Sequence, residues 1–124
     1  MKKLTPVLVV DAIEPCLSFW VDRLGFQKTA EVPHEGRLGF VILTHGAAEL
    51  MLQTVASVQG DMPAIAKDKF HSALFLEVED LASIQRAVRG LALVFDERKT
   101  FYGSREICVR DPAGNIVTFA QFDR

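Results

Sequence analysis

Apolar positions recur along this chain with two periods, and the switch between them marks its elements. Residues 4–10 are rich in Val and read as a strand. Asp11 then reads as a helix cap, with Glu14 as its capping-box partner. Pro15 falls in the first turn, where proline is tolerated. Ile13, Leu17, Trp20 and Leu24 follow at near-helical spacing, and Gly25 stops the helix. Residues 26–32, 38–44 and 49–55 read as three more strands, with turns at Pro33-His34-Glu35-Gly36 and His45-Gly46. Residues 56–70 contain Gly60, Pro63 and mixed charge, and read as a connector with room for one helical turn.

The pattern then restarts. Residues 72–78 read as a strand. Asp80 caps a helix that places Leu81, Ile84, Val88 and Leu91 on one face, with Gly90 near its end. Residues 92–97, 105–110 and 116–122 read as strands. Asp111-Pro112-Ala113-Gly114-Asn115 spells a tight turn between the last two. Pro112 presets φ for a turn's second position and Gly114 permits positive φ. Both halves therefore read strand-helix-strand-strand-strand. Asp11 and Asp80 take the same capping role, and Gly46 and Gly114 occupy matching last turns. The chain is an internal duplication of a βαβββ unit. Module one spans about residues 4–55, a connector spans 56–70, and module two spans about 71–122, within a single domain of residues 1–124.

Side chains alternate across a strand, so each strand divides into two faces. Leu8 and Val10, Leu50 and Leu52, Leu74, Leu76 and Val78, and Val117 and Phe119 give one uniformly large, apolar face that packs under the helices. The opposite face mixes Thr5, Val7 and Val9 with Glu49, Met51 and Gln53, and Ala73, Phe75 and Glu77 with Thr118 and Ala120. That mixture suits a concave surface lining a partly wet pocket. The competing reading is a bare solvated face, for which Met51, Phe75 and Val7 are poor choices.

Composition narrows the partners. A length of 124 residues with 49% hydrophobic and 24% charged residues fits one folded domain whose core needs no disulfide. A net charge of −2 with no basic run argues against nucleic acid. The N-terminus begins like a signal peptide, but Asp11 and Glu14 interrupt the apolar run and no cleavage site follows. No apolar stretch reaches membrane-spanning length. Cys16 and Cys108 form no CxxC and read as reduced thiols of a cytoplasmic protein.

Three segments carry a resemblance to a known family. They are Lys3-Leu4-Thr5 with Pro6-Val7-Leu8, the run Phe19-Trp20-x-Asp22-Arg23-Leu24-Gly25-Phe26, and Tyr102-Gly103-Ser104-Arg105-Glu106 through Arg110-Asp111-Pro112-Ala113-Gly114-Asn115. Together they resemble the vicinal-oxygen-chelate superfamily, which includes glyoxalase I, extradiol dioxygenases, and fosfomycin- and bleomycin-resistance proteins. The bleomycin-resistance-like members are the nearest in motif. The resemblance implies an α+β fold: two tandem βαβββ modules forming a curved, mostly antiparallel eight-stranded sheet with helices on the convex face. It also implies a homodimer that completes the cavity.

The metalloenzymes of that superfamily draw ligands from the first and last strands of each module. By the resemblance those slots fall on Thr5, Glu49, Ala73 and Thr118, of which only Glu49 is a strong ligand. A slip of two residues would add His71, and Glu49 with His71 still falls short of three ligands. His34 and His45 lie in turns. The expectation is a metal-free protein that sequesters a hydrophobic or antibiotic-like small molecule, without a cofactor. Its pocket would be lined by Thr5, Val7, Glu49, Met51, Ala73, Phe75 and Thr118, with Phe101 and Tyr102 able to stack on a flat ligand from the pocket mouth. The alternative is a lyase or dioxygenase using one divalent metal at Glu49 and His71. A third reading is an interaction module with no ligand. Trp20 reads as core, and Arg105 and Glu106 as cross-strand pairing residues. No Ser-His-Asp or Cys-His set, phosphate loop or dinucleotide fingerprint is present.

Overall fold

A computed structural model of the chain describes residues 1–65 and 71–123. The chain divides into two compact units, Met1–Phe70 and His71–Arg124. Each holds one four-stranded mixed sheet with helix alongside, so the α+β class and the duplication both stand. In the first unit β1 (Val7–Val10), β2 (Gln27–His34), β3 (Arg37–His45) and β4 (Ala48–Thr54) order as β1-β4-β3-β2. In the second, β5 (Ala73–Glu77), β6 (Leu93–Lys99), β7 (Ser104–Arg110) and β8 (Ile116–Phe122) order as β5-β8-β7-β6. The first and last strands of each unit pair in parallel, β1 with β4 and β5 with β8. The remaining pairs are antiparallel hairpins.

The apolar face follows the alternation in most strands, but Leu74, Leu76 and Val78 are only half-buried, and Cys108 and Ala120 of the opposite face are buried as well. Leu8, Val10, Val41, Leu43, Leu50 and Leu52 are buried in the first unit, together with Ile13, Cys16, Phe19 and Trp20 of the helix. Val117, Phe119, Ile107 and Val109 are buried in the second, with Leu81 and Val88 of its helix. Trp20 is wholly buried, as its core reading requires, and meets Phe19 and Phe26 edge-to-face at 5.0 and 5.2 Å between ring centroids. Cys16 and Cys108 are both buried free thiols.

Local details depart from the sequence reading in three places. The first strand begins at Val7 rather than residue 4. Pro6 has no N–H to give a ladder, and only its carbonyl joins the sheet, accepting from Met51 N at 2.9 Å. The first helix, α1 (Glu14–Leu17), starts later than Asp11, with Ile13 at its N-cap and no side-chain cap. Glu14 is no capping-box partner either: its carboxylate accepts from Leu38 N at 3.0 Å on β3. Asp80, by contrast, does cap α3 (Leu81–Ala87), accepting from Ala82 N at 3.2 Å. The capping symmetry of the two halves is therefore absent. Finally, α1 runs on as a π-helical stretch, Ser18–Arg23, whose widened turn buries the adjacent Phe19 and Trp20 together.

The connector also holds more structure than one turn. Thr54 caps α2 (Val55–Asp61) by accepting from Ser57 N at 3.1 Å, and a 3₁₀ turn follows at Pro63–Ile65. The remainder of the connector, residues 66–70, lies outside the described residues.

The two last turns are built differently. Gly46 turns β3 into β4 with φ +57 and open space around it. The Asp111–Asn115 turn is a clamp. Asp111 Oδ1 accepts from Ala113 N at 3.0 Å and Asn115 N at 2.8 Å, and Oδ2 accepts from Asn115 Nδ2 at 3.0 Å. Asn115 Oδ1 in turn accepts from Ser72 N at 2.8 Å, which ties the turn to the entrance of β5.

Candidate functional site

Strand register decides which side chains share the mixed face. In the second unit two neighbouring rows run across the sheet. One is Phe95, Cys108, Thr118 and Phe75; the next is Arg98, Glu106, Ala120 and Glu77. Phe122 lies one step further along the same face, opposite Ser104. Among the expected pocket residues, Phe75, Tyr102 and Thr118 come together here. Phe75 is 54% exposed and lies 6.3 Å from the Phe122 ring, which is 6.2 Å from Tyr102. Phe101 meets Tyr102 edge-to-face at 5.1 Å and is fully exposed. A chain of four rings, Phe101, Tyr102, Phe122 and Phe75, thus stands at the surface of this unit. Ala73 precedes Phe75 by two residues on the same face, opposite Ile116.

Beneath these rings sits a carboxylate. Glu106 is wholly buried. Tyr102 Oη donates to its Oε2 at 2.5 Å and Ser104 Oγ donates to the same oxygen at 2.8 Å. Arg98 donates to Oε1 at 3.2 Å, and its guanidinium lies 3.8 Å above the Phe95 ring centroid. Burial raises the Glu106 carboxyl, but the bonds from Tyr102, Ser104 and Arg98 outweigh it and hold the group below the ordinary glutamate value. Glu106 is therefore ionised, satisfied, and the anchor that fixes Tyr102. Arg105 pairs with Glu97 across the same two strands, at 3.6 Å on the other face, so both residues do make cross-strand pairs.

The sequence reading missed Glu106, Arg98, Phe95 and Phe122 as parts of this face. Alternation along β7 does align Glu106 with Ser104 and Cys108. The partner Arg98 was hidden by irregular pairing between Phe95 and Arg98, which shifts the register of β6.

The first unit answers differently. Val7 pairs with Met51, Val9 with Gln53, and Ile42 with Met51, so its mixed face is mostly aliphatic. Thr5 donates to Glu49 Oε1 at 2.9 Å and Lys3 Nζ lies 2.9 Å from the same oxygen. The Lys3 bond first and the Thr5 bond second hold the Glu49 carboxyl below its ordinary value. Gln53 is drawn into α2, donating to Ser57 Oγ at 3.1 Å and approaching Asp61 at 3.5 Å.

Of the four slots that the resemblance marks, Thr5 and Glu49 stand side by side through their 2.9 Å bond, and Thr118 pairs with Phe75, two residues beyond Ala73. Two hydroxyls, one carboxylate and a methyl are a poor donor set for a zinc, nickel or iron centre. His71 packs elsewhere: a Cβ on Gly114 would stand 3.1 Å from its Nε2, so the ring lies on the last turn. Among the described residues no three His, Cys, Asp or Glu side chains converge. No helix among them is long and apolar enough to cross a membrane.

A family model described as Glyoxalase/Bleomycin resistance protein/Dioxygenase superfamily matches residues 4–119. Among solved structures, TioX from Micromonospora sp. ML1 superposes with a TM-score of 0.79 at 17% identity, covering 98% of this chain and 99% of that one. A lactoylglutathione lyase from Agrobacterium tumefaciens gives 0.76 at 17% identity, covering 98% and 94%. A glyoxalase/bleomycin resistance protein/dioxygenase from Nocardioides gives 0.70 at 16% identity, covering 98% and 84%. No curated protein matches the chain significantly in sequence.

Proposed function

We propose that this chain, which belongs to the glyoxalase/bleomycin resistance protein/dioxygenase superfamily, is a metal-free binding protein that sequesters a flat, hydrophobic, antibiotic-like small molecule. The observation that carries this reading is the chain of rings on the mixed face of the second unit. Phe75 at 54%, Tyr102 at 45% and Phe101 at 101% exposure are large apolar surfaces left in water. Contiguous exposed apolar surface of this kind marks a binding face. Tyr102 is held in place by its bond to Glu106, so little rotamer freedom remains to be lost when a planar ligand stacks on it. The donor set at Thr5, Glu49, Ala73 and Thr118, with a single carboxylate, supports binding without a metal. The protein would act as a cytoplasmic homodimer, because each sheet ends in open edge strands that a second chain can cover.

The test uses acridine in mildly alkaline buffer, where it is planar and neutral, with amide shifts read by NMR. Binding should perturb residues around Phe75, Tyr102 and Phe122. Replacing Phe75 and Phe122 with Ala together should weaken it by about tenfold, given roughly 0.5–1.5 kcal/mol per aromatic contact. Absence of binding, or binding indifferent to both substitutions, overturns the reading. Elemental analysis of protein purified without chelator should find no stoichiometric zinc, nickel, iron or manganese. One metal per chain, lost in Glu49→Ala or His71→Ala, would transfer the assignment to a metal-dependent lyase or dioxygenase. Light scattering should give the mass of a dimer.

A further inference from the structure

The rings of the second unit do not stand alone. The face they occupy already holds one cation, the guanidinium of Arg98, in a particular environment. Its plane of charge lies 3.8 Å above the Phe95 ring, and one nitrogen donates to the buried Glu106 at 3.2 Å. Aromatic face plus desolvated carboxylate is the combination that recognises an organic cation. The hold on Arg98 itself is loose. Its side chain is 54% exposed while that of Glu106 is 1% exposed, and the contact is a single bond rather than a paired fork. The guanidinium is the exposed end of the pair, so water can take it up when another cation replaces it at Glu106.

We propose that the mixed face of the second unit selects planar aromatic ligands that carry a positive charge, and that Arg98 occupies the cation position until such a ligand displaces it. The inference rests on the aromatic binding reading above and adds the ligand's charge class. The carboxylate under the cation supports it. An anionic ligand approaching Arg98 would meet Glu106 already bound there. A cationic ligand would replace one cation by another while adding ring contacts with Tyr102, Phe122 and Phe75. Tyr102 serves both parts: its ring stacks and its hydroxyl keeps the carboxylate in place.

Three probes of similar ring size separate the outcomes: neutral acridine, cationic 9-aminoacridine and anionic anthracene-2-carboxylate, each titrated in low and high salt. 9-Aminoacridine should bind about tenfold tighter than acridine, as expected for one charge-assisted contact. The preference should shrink in high salt. Glu106→Gln should erase the preference for 9-aminoacridine over acridine. Arg98→Gln, which frees the cation position without removing a donor from Glu106, should raise the preference for 9-aminoacridine over acridine severalfold. This second variant keeps the test decisive if Glu106→Gln fails to fold. Equal binding of all three probes, or an unchanged preference in Arg98→Gln, overturns the inference and leaves the aromatic site intact. Tighter binding of anthracene-2-carboxylate overturns it by making Arg98 the recognising group. Failure of acridine itself to bind removes both readings together.

Discussion

The two units share a strand order and a parallel closing pair, yet their mixed faces carry different chemistry. The first presents Val7, Val9, Ile42 and Met51, with its one carboxylate, Glu49, at the edge beside Lys3 and Thr5. The second presents Phe75, Phe95, Tyr102 and Phe122 around a carboxylate that is fully buried. Duplication has preserved what folding needs, which is the register of apolar positions. It has not preserved what binding needs. A residue on the apolar face must fill its share of a close-packed core, whereas a residue on the open face is constrained only by what it touches from outside. The proposed ligand chemistry therefore falls on the second unit.

The last turns give the strongest way to break the comparison. Asp111→Ala removes the acceptor of three bonds and leaves Ala113 N, Asn115 N and Asn115 Nδ2 unpaired, two of them on a buried residue. The expected cost is about 3 kcal/mol in urea unfolding. The two-residue turn of the first unit, Gly46-Ala47, has no such clamp, so Ala47→Ser should change stability by no more than about 0.5 kcal/mol. Equal effects in the two turns would show that the clamp contributes nothing beyond an ordinary turn.

Glu106 comes next. Glu106→Ala removes the acceptor of the Tyr102 and Ser104 hydroxyls and the partner of Arg98, and should cost about 2 kcal/mol at neutral pH. Its pH dependence has a definite sign. The folded carboxyl lies below the ordinary value of 4.5. Its stabilising effect is complete above that value and is lost as pH falls through the lowered folded one. Wild type should therefore lose stability on acidification more steeply than Glu106→Gln, and only below about pH 4.5. Parallel acid unfolding curves for the two proteins would show that Glu106 is not selectively bonded as an anion.

Much of this fold was legible because it rests on period and punctuation. The strand-helix-strand-strand-strand repeat followed from alternation, and the Asp80 cap and the Gly114 turn from single residues of known conformational habit. What was not legible depends on events that alternation does not record. Asp11 has the chemistry of a cap, yet the helix starts after Ile13. Phe19 and Trp20 are both buried because the helix widens, which a 3.6-residue stripe cannot express. Arg98 reaches Glu106 only because β6 is irregular between Phe95 and Arg98. Glu49 reads from the sequence as the lone carboxylate among the slots, but that Thr5 and Lys3 both bond it is a contact alternation does not record. The rings at Phe75, Phe101 and Tyr102 were visible in sequence; Phe122, which joins Phe75 to Tyr102, was read only as the end of a strand.

A pair of glycines tests the same contrast on a smaller scale. Gly46 and Gly114 both sit at positive φ, +57 and +90, where an L side chain is strained. Around Gly46 there is open space, so Gly46→Ala should cost only the backbone term, about 1 kcal/mol. At Gly114 the new methyl also meets the His71 ring at 3.1 Å. Gly114→Ala should cost about 2 kcal/mol, and His71→Ala in the same chain should recover part of it. Identical losses at both positions would mean that the ring moves aside freely.

The smallest effect is expected at Glu49, and its smallness is informative. The Lys3 and Thr5 bonds lower the Glu49 carboxyl, so the group is ionised at neutral pH. Lys3 is 63% exposed and Glu49 20% exposed at the side chain, so water screens the pair and holds either partner nearly as well as the other does. Glu49→Gln keeps the shape and an acceptor for the Thr5 hydroxyl, and should leave the urea midpoint unchanged within error. It should also leave acridine and 9-aminoacridine affinities unchanged, because the binding chemistry belongs to the rings and Glu106 of the other unit. The two measurements separate the possibilities. A stability loss alone would make Glu49 a structural partner of Lys3 and Thr5. A loss of probe affinity without a stability change would bring Glu49 into the binding site and end the assignment of ligand recognition to the second unit alone.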